Sequence, residues 1–327
     1  MSRSITFIEA VREAQEQKME QDERVYIIGE DIGEFGGAFG ATKGLWQRYG
    51  AERVRETAIS EEAIIGSSVG AAMTGMRPIA EIQFSDFMTI CMDQIVNQAA
   101  KIRYMFGGGL TVPLVIRAPI GGYIFNAAQH SQSLEAWFCH VPGLVVVIPS
   151  TPYDAKGLLI SAIEREDPVV FFEHKKLYWT KGDVPEQMYN VPIGKAQLKR
   201  EGGDLTIITY AYTTTLCLEA STQLEKEGIQ VGVVDLMTVS PIDRETIFSE
   251  VCKTGRALVV HEASRNCGVG AEISSLITEH CFSSLKAPII RIGAKHSPVP
   301  YSPVLEKAVL PQVEDIVAAA KKTVAYS

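Results

Sequence analysis

The sequence lacks paired cysteines. Its six (Cys91, Cys139, Cys217, Cys252, Cys267, Cys281) lie far apart, with no C-x-x-C and no Cys/His cluster at zinc spacing. A small disulfide scaffold and a zinc module are excluded, and reduced thiols in a cytoplasmic protein are expected. A long apolar run is also missing. The most apolar uncharged stretch, 63–76, is rich in Gly and Ser and falls well short of the ~18 or more residues of a membrane span. A buried helix is expected there and no membrane partner. Glu9 and Glu13 arrive before any apolar stretch that could act as a signal segment. Basic runs are absent, and Lys plus Arg at 31 against Asp plus Glu at 39 gives a net charge of −8, so nucleic acid is not an expected partner. No G-x-G-x-x-G, G-x-x-x-x-G-K-[ST] or H-E-x-x-H occurs, which removes the common dinucleotide, P-loop and zinc-protease readings.

What remains is an ordinary globular composition, 46% hydrophobic and 21% charged over 327 residues, long enough for two cores. Short apolar strands alternate with helix-period segments, the mark of parallel sheets covered by helices, so the expected class is α/β in two domains. In the first, strands are expected at 25–29, 78–83, 112–117, 144–148 and 169–172. Helices are expected at 6–19, 61–75, 87–105, 131–140 and 152–164. The periodicity then lapses in a stretch carrying Pro185, Pro192 and Gly202-Gly203. The expected division is therefore 1–180, a linker at 181–203, and a second α/β unit at 204–327. That unit has strands at 205–210, 231–235, 258–260 and 289–292, with helices at 215–227, 244–253, 270–281 and 313–323.

Several segments invite a chemical reading. Gly66-Ser67-Ser68-Val69-Gly70 matches G-x-S-x-G, yet it sits inside a helical run where a nucleophile elbow needs a strand, a sharp turn and a helix. Close packing on the glycine face is expected instead. Glu30 to Gly40 follows the first strand, where α/β proteins place ligand loops, but Glu30, Asp31 and Glu34 would repel a phosphate. A flexible surface turn is the competing reading. Ser60-Glu61-Glu62 opens the apolar helix, and capping by Ser60 with carboxylates at the positive helix end would explain all three. Glu61 alternatively faces a dry cleft. His130, in Gln129-His130-Ser131-Gln132-Ser133, lies beyond the strand ending near Arg117 and the Gly121-Gly122 loop, where open α/β sheets carry their chemistry. His261-Glu262 and His296 are read as structural or interface residues.

Taken together, the chain resembles the beta subunit of the thiamine-diphosphate-dependent dehydrogenase component of 2-oxo acid and acetoin dehydrogenase complexes. The stretches that carry the likeness are Gly29-Glu30-Asp31, Ile59-Ser60-Glu61, Arg77-Pro78-Ile79-Ala80-Glu81-Ile82-Gln83-Phe84-Ser85-Asp86-Phe87, Asp93-Gln94-Ile95-Val96-Asn97, His130-Ser131-Gln132-Ser133 and Pro152-Tyr153-Asp154-Ala155-Lys156-Gly157-Leu158-Leu159. The resemblance implies an N-terminal pyrimidine-binding parallel-sheet domain and a transketolase C-terminal-like domain for assembly and docking. It implies that Glu61 hydrogen-bonds the aminopyrimidine ring nitrogen of thiamine diphosphate, that Phe87 packs on that ring, and that Glu30, Ile59, Ser60 and Gln83 line the pocket. It casts His130 as the active-site histidine that handles a proton as the acyl group moves to a lipoyl arm. It also implies a monovalent-cation site for potassium, largely of main-chain oxygens, at Leu114, Ala162, Ile163, Arg165 and Asp167, with Arg165 standing where an Asp is common.

One absence bears on partners. Family members hold the cofactor's diphosphate through magnesium on a Gly-Asp-Gly segment followed by Asn, and this sequence has no Gly-Asp-Gly; Gly202-Gly203-Asp204 has no such sequel. The resemblance therefore implies half an active site. The magnesium-holding half belongs to an alpha subunit in an α2β2 heterotetramer that serves a lipoyl-bearing acyltransferase. Arg103 to Gly108 and His296 to Glu306 look most like acetoin dehydrogenase beta subunits, with pyruvate next and branched-chain 2-oxo acids third. A self-sufficient transketolase-like enzyme and a non-catalytic assembly scaffold are the rival readings.

Overall fold

The computed structural model describes residues 2–326, which form two units by internal packing: 2–120 with 137–193, and 121–136 with 194–326. In the first unit the chain begins with β1 (Ser2–Thr6), α1 (Phe7–Gln21) and β2 (Val25–Glu30). It continues through α2 (Leu45–Tyr49), β3 (Val54–Thr57), α3 (Glu61–Met73), β4 (Arg77–Glu81), α4 (Ala100–Met105) and β5 (Val115–Ile120). After α5 (Glu135–Cys139) come β6 (Val145–Val147), α6 (Pro152–Glu164), β7 (Val169–His174) and β8 (Lys181–Pro185). Six strands run in the order β6-β7-β5-β4-β2-β3 and are mutually parallel. β1 and β8 form a separate antiparallel pair.

Local chemistry accounts for the helix starts. Thr6 and Glu9 form a reciprocal capping box on α1, with Thr6 N donating to Glu9 Oε2 at 2.8 Å. Thr151 accepts from Asp154 N ahead of α6, whose first residue is Pro152. The strands inside the parallel sheet read as mostly apolar runs because both faces are covered; every residue of β2, β5 and β7 is buried.

The second unit contains β9 (Gln197–Arg200), β10 (Leu205–Thr209), α7 (Tyr212–Glu225), β11 (Val231–Asp235), β12 (Thr238–Ser240), α8 (Arg244–Thr254), β13 (Ala257–Ser264) and α9 (Val269–Cys281). β14 (Ile290–Ala294), α10 (Pro303–Val309) and α11 (Val313–Val324) complete it. Its five-stranded sheet has the order β14-β13-β10-β11-β9, parallel except for β9. Leu205, Ile207, Val231, Val233, Leu258 and Val260 pack from this sheet against Leu216, Ala220 and Leu224 of α7 and Ile316 and Ala320 of α11.

Three expectations change. The helix expected over 87–105 is a 3₁₀ turn at Ser85–Thr89, a π-helical segment at Gln94–Ala99 and then α4. The helix expected over 131–140 is confined to α5. The stretch 181–203, expected as a linker, holds β8 and β9. Among the described residues no helix is long and apolar enough to cross a membrane.

Candidate functional site

The candidate site of the first unit lies where three neighbouring parallel strands end. Glu30, last in β2, is in register with Thr57, last in β3, and Gly29 with Glu81, last in β4. The segments that leave these strands carry Asp31, then Ile59-Ser60-Glu61, then Gln83 to Phe87, so one sheet edge gathers residues from three parts of the sequence. All six residues expected to line the pyrimidine pocket lie on these segments.

Glu61 opens α3 and is buried at 7% exposure, while Glu62 beside it is exposed. Ser60 occupies the N-cap position with φ −167° and makes no side-chain capping bond, so capping does not explain this trio of residues. The Ser60 backbone N–H donates instead to the Glu30 carboxylate. Burial, then the neighbouring charges of Glu61 and Asp31, hold Glu30 above the usual carboxylate range. Gln83 Nε2 donates to Asp31 Oδ2 at 3.1 Å. Phe87 is half-buried and meets Phe84 edge-on at 5.7 Å, and Phe84 meets Phe39 of the glycine-rich loop at 5.8 Å. Ile59 stands 82% exposed and Phe35 73% exposed.

Two crowded carboxylates flanked by exposed apolar and aromatic side chains suit a flat nitrogen heterocycle that donates or shares a proton, and they repel an anionic group. This donor set fits the aminopyrimidine half of thiamine diphosphate and not its diphosphate. The glycine-rich loop is a defined turn: Gly36, Gly37 and Gly40 have φ of 87°, 84° and 84°, and Gly33 N donates to Glu56 Oε2 at 2.8 Å.

The G-x-S-x-G string lies inside α3 as expected, and Ser67 and Ser68 both donate to Ile64 O. Among the described residues no neighbouring backbone lies against its glycines, however. A Cβ on Gly66 would meet only Gln94 Cγ at 3.6 Å, and one on Gly70 nothing within 4 Å.

His130 belongs to the second unit, in a half-buried turn between β5 and α5. Gly121 N donates to Gln132 O at 3.2 Å and closes the base of its loop. Glu262, read from sequence as structural or an interface residue, binds this loop from 140 residues away, a separation that no local signal in the sequence reports.

The five residues expected around potassium are drawn together near the start of β7. Leu114 O accepts from Val169 N at 2.9 Å and Ala162 O from Arg165 N at 3.2 Å. Ile163 O and Arg165 O accept from Arg77 Nη1 at 2.9 and 3.0 Å, and the Arg165 guanidinium turns to Asp167. Two of these oxygens, Ile163 O and Arg165 O, thus face a guanidinium, and the other two pair with backbone amides. Among the described residues no group of three or more His, Cys, Asp or Glu side chains is gathered for a metal.

A parallel-sheet unit with acidic and aromatic side chains at its strand ends, followed by a smaller, mainly parallel-sheet unit, is the arrangement of a transketolase-like chain. Residues 3–180 match the transketolase pyrimidine-binding domain and 194–316 the transketolase C-terminal domain. The chain belongs to this family, in the branch of dehydrogenase beta subunits. It is 49% identical to acetoin:2,6-dichlorophenolindophenol oxidoreductase subunit beta of Cupriavidus necator, over 99% of this chain and 98% of that one. Identity is 48% to 2-oxoisovalerate dehydrogenase subunit beta of Bacillus subtilis, over 97% and 98% of the two chains. It is 45% to pyruvate dehydrogenase E1 component subunit beta of Bacillus subtilis, over 98% and 99%. A split-gene transketolase, described as an inactive beta4 tetramer, shares the fold with a TM-score of 0.81 at 22% identity, covering 98% of this chain and 99% of that one.

Proposed function

We propose that this chain is the beta subunit of a thiamine-diphosphate-dependent dehydrogenase component. That component cleaves acetoin or decarboxylates a 2-oxo acid such as pyruvate and passes the acyl group to the lipoyl arm of an acyltransferase. The chain acts with an alpha subunit in an α2β2 assembly. The observation that carries the reading is the buried Glu61 carboxylate at the start of α3, set against Glu30 at the ends of three adjacent strands.

Bound there, thiamine diphosphate would supply the nucleophilic thiazolium carbon that attacks the substrate carbonyl. Glu61 would hold the ring-nitrogen proton of the aminopyrimidine, with the Glu30 carboxyl, which burial raises, beside it. Phe87 would pack on the ring, and Glu30, Ile59, Ser60 and Gln83 would line its pocket. His130 moves a proton when the acyl group leaves for the lipoyl arm. Magnesium belongs to the alpha subunit's diphosphate site, and no step is routed through a potassium ion. The six free thiols support a cytoplasmic location.

Identities of 49%, 48% and 45% to acetoin, 2-oxoisovalerate and pyruvate enzymes do not order the three substrate classes, so branched-chain 2-oxo acids stand beside the first two. In the reconstituted assembly, Glu61→Gln is expected to lower turnover by about 100-fold or more with assembly intact. Near-normal turnover would instead favour a scaffold that uses the fold for assembly alone.

A further inference from the structure

The loop from Gly121 to Leu134 carries His130 and holds three non-glycine residues in left-handed backbone: Tyr123, Phe125 and Ala127, at φ 62°, 63° and 61°. Their conformation must be imposed from outside the loop. Two buried carboxylates of the second unit impose it. Glu262, on β13 and 6% exposed, accepts the Gly122 N–H at 2.6 Å through Oε1. Glu306, on α10 and 2% exposed, accepts the Phe125 N–H at 3.3 Å.

Between these two points Tyr123 donates its hydroxyl to Pro311 O at 2.8 Å and packs edge-on against Tyr212 at 4.8 Å. The approach is close. A Cβ at Gly122 would lie 2.7 Å from Leu310 Cδ1 and 3.1 Å from Glu306 Oε1. Backbone amides bonded to buried carboxylates are charge-assisted, and they fix both the position and the direction of the chain between them.

We propose that Glu262 and Glu306 are positioning residues that set His130 for acyl transfer to the lipoyl arm. The C-terminal unit then contributes to the reaction as well as to assembly. The proposal rests on the role given to His130 above, and its test separates the two. In the reconstituted holoenzyme, two rates are read on each variant: acylation of a free lipoyl domain, and reduction of 2,6-dichlorophenolindophenol, which bypasses the lipoyl arm.

For Glu262→Ala the ratio of lipoyl acylation to dye reduction is expected to fall about 10-fold or more, as a displaced catalytic group requires. Glu262→Gln keeps an acceptor oxygen for Gly122 N–H and is expected to restore most of the ratio. Gly122→Ala, which crowds Leu310 and Glu306 and leaves both carboxylates in place, is expected to lower the ratio too and serves if Glu262→Ala does not fold. His130→Ala is the reference. If it lowers the ratio and neither Glu262→Ala nor Gly122→Ala does, the positioning proposal is overturned. Equal loss of both rates in those variants, unrelieved by Gln at 262, overturns it as well. A ratio untouched by His130→Ala removes the role of His130 itself.

Discussion

Glu135 and His261 are sealed inside the second unit, and burial moves their protonation in opposite directions. Glu135 is 1% exposed and accepts from the Tyr210 hydroxyl at 2.8 Å; burial first, then the Glu262 charge, pushes its carboxyl up to about 7. His261 is stacked on Tyr210 at 6.1 Å and closed in by Gly268 and Gly270, and burial brings it down to about 4. From pH 4.5 to 7 the folded chain binds the Glu135 proton that the unfolded chain releases, so this residue's contribution to stability is lost as pH rises. From pH 6.5 down to 4 the unfolded chain binds a proton that folded His261 refuses, so that contribution is lost as pH falls. Each amounts to roughly 3 kcal/mol across its window, and the two largely cancel between about pH 4.5 and 6.5. Glu135→Gln should expose the histidine's slope. Urea midpoints of the variant are expected to rise from pH 4.5 to 6.5 more steeply than those of the parent chain, and parallel curves would disprove the burial argument for Glu135. None of this was legible in the sequence, because the carboxyl and its hydroxyl donor are 75 residues apart and meet only through the fold.

At the scale of an element, β5 shows what a residue in the middle of a strand contributes beyond the apolar pattern. Arg117, 1% exposed, donates Nη1 to Glu81 of β4 at 2.6 Å, and Nε and Nη2 to Glu173 of β7 at 2.6 and 2.8 Å. Gln15 of α1 and Tyr178 close the network. Three neighbouring strands and a covering helix are thereby tied by one guanidinium. Arg117→Met leaves two buried carboxylates facing each other without a countercharge. A stability loss of about 3–5 kcal/mol in urea titration is expected, and less than about 1 kcal/mol would mean that the carboxylates find other partners. Sequence pattern located β2, β4, β5, β6 and β7 because each is a run buried on both faces. It missed β3, Val-Arg-Glu-Thr, whose burial is confined to Val54 with Thr57 half-buried. It also missed the antiparallel β1 and β8, whose residues are mostly polar. The π-helical turn at Gln94–Ala99 keeps a helical hydrophobic spacing, so its break from the expected helix over 87–105 shows only in the backbone.

At the scale of the whole molecule, the same residues that recommend the pocket for an aminopyrimidine make it unsuited to a complete cofactor. Glu30, Asp31 and Glu61 crowd the strand ends of the first unit, and the chain carries a net charge of −8. A diphosphate brought near these carboxylates meets repulsion, and the sequence has no Gly-Asp-Gly through which magnesium would offset it. Ile59 and Phe35 stand exposed at the pocket, as expected of walls completed by another chain. The strings Ile59-Ser60-Glu61 and Gln83 to Phe87, and the lack of Gly-Asp-Gly, are legible before any coordinates because they are short and local. The carboxylate clustering was not, because it depends on the order β4-β2-β3. The prediction at this scale is that the isolated chain binds thiamine diphosphate with magnesium at least about 100-fold more weakly than the assembly with its alpha subunit, read by titration calorimetry on both. Native mass spectrometry of the purified complex should show equimolar chains, the partner bearing Gly-Asp-Gly. Tight binding by the isolated chain would mean that its own residues neutralise the diphosphate, and it would return the stand-alone transketolase-like reading to the front.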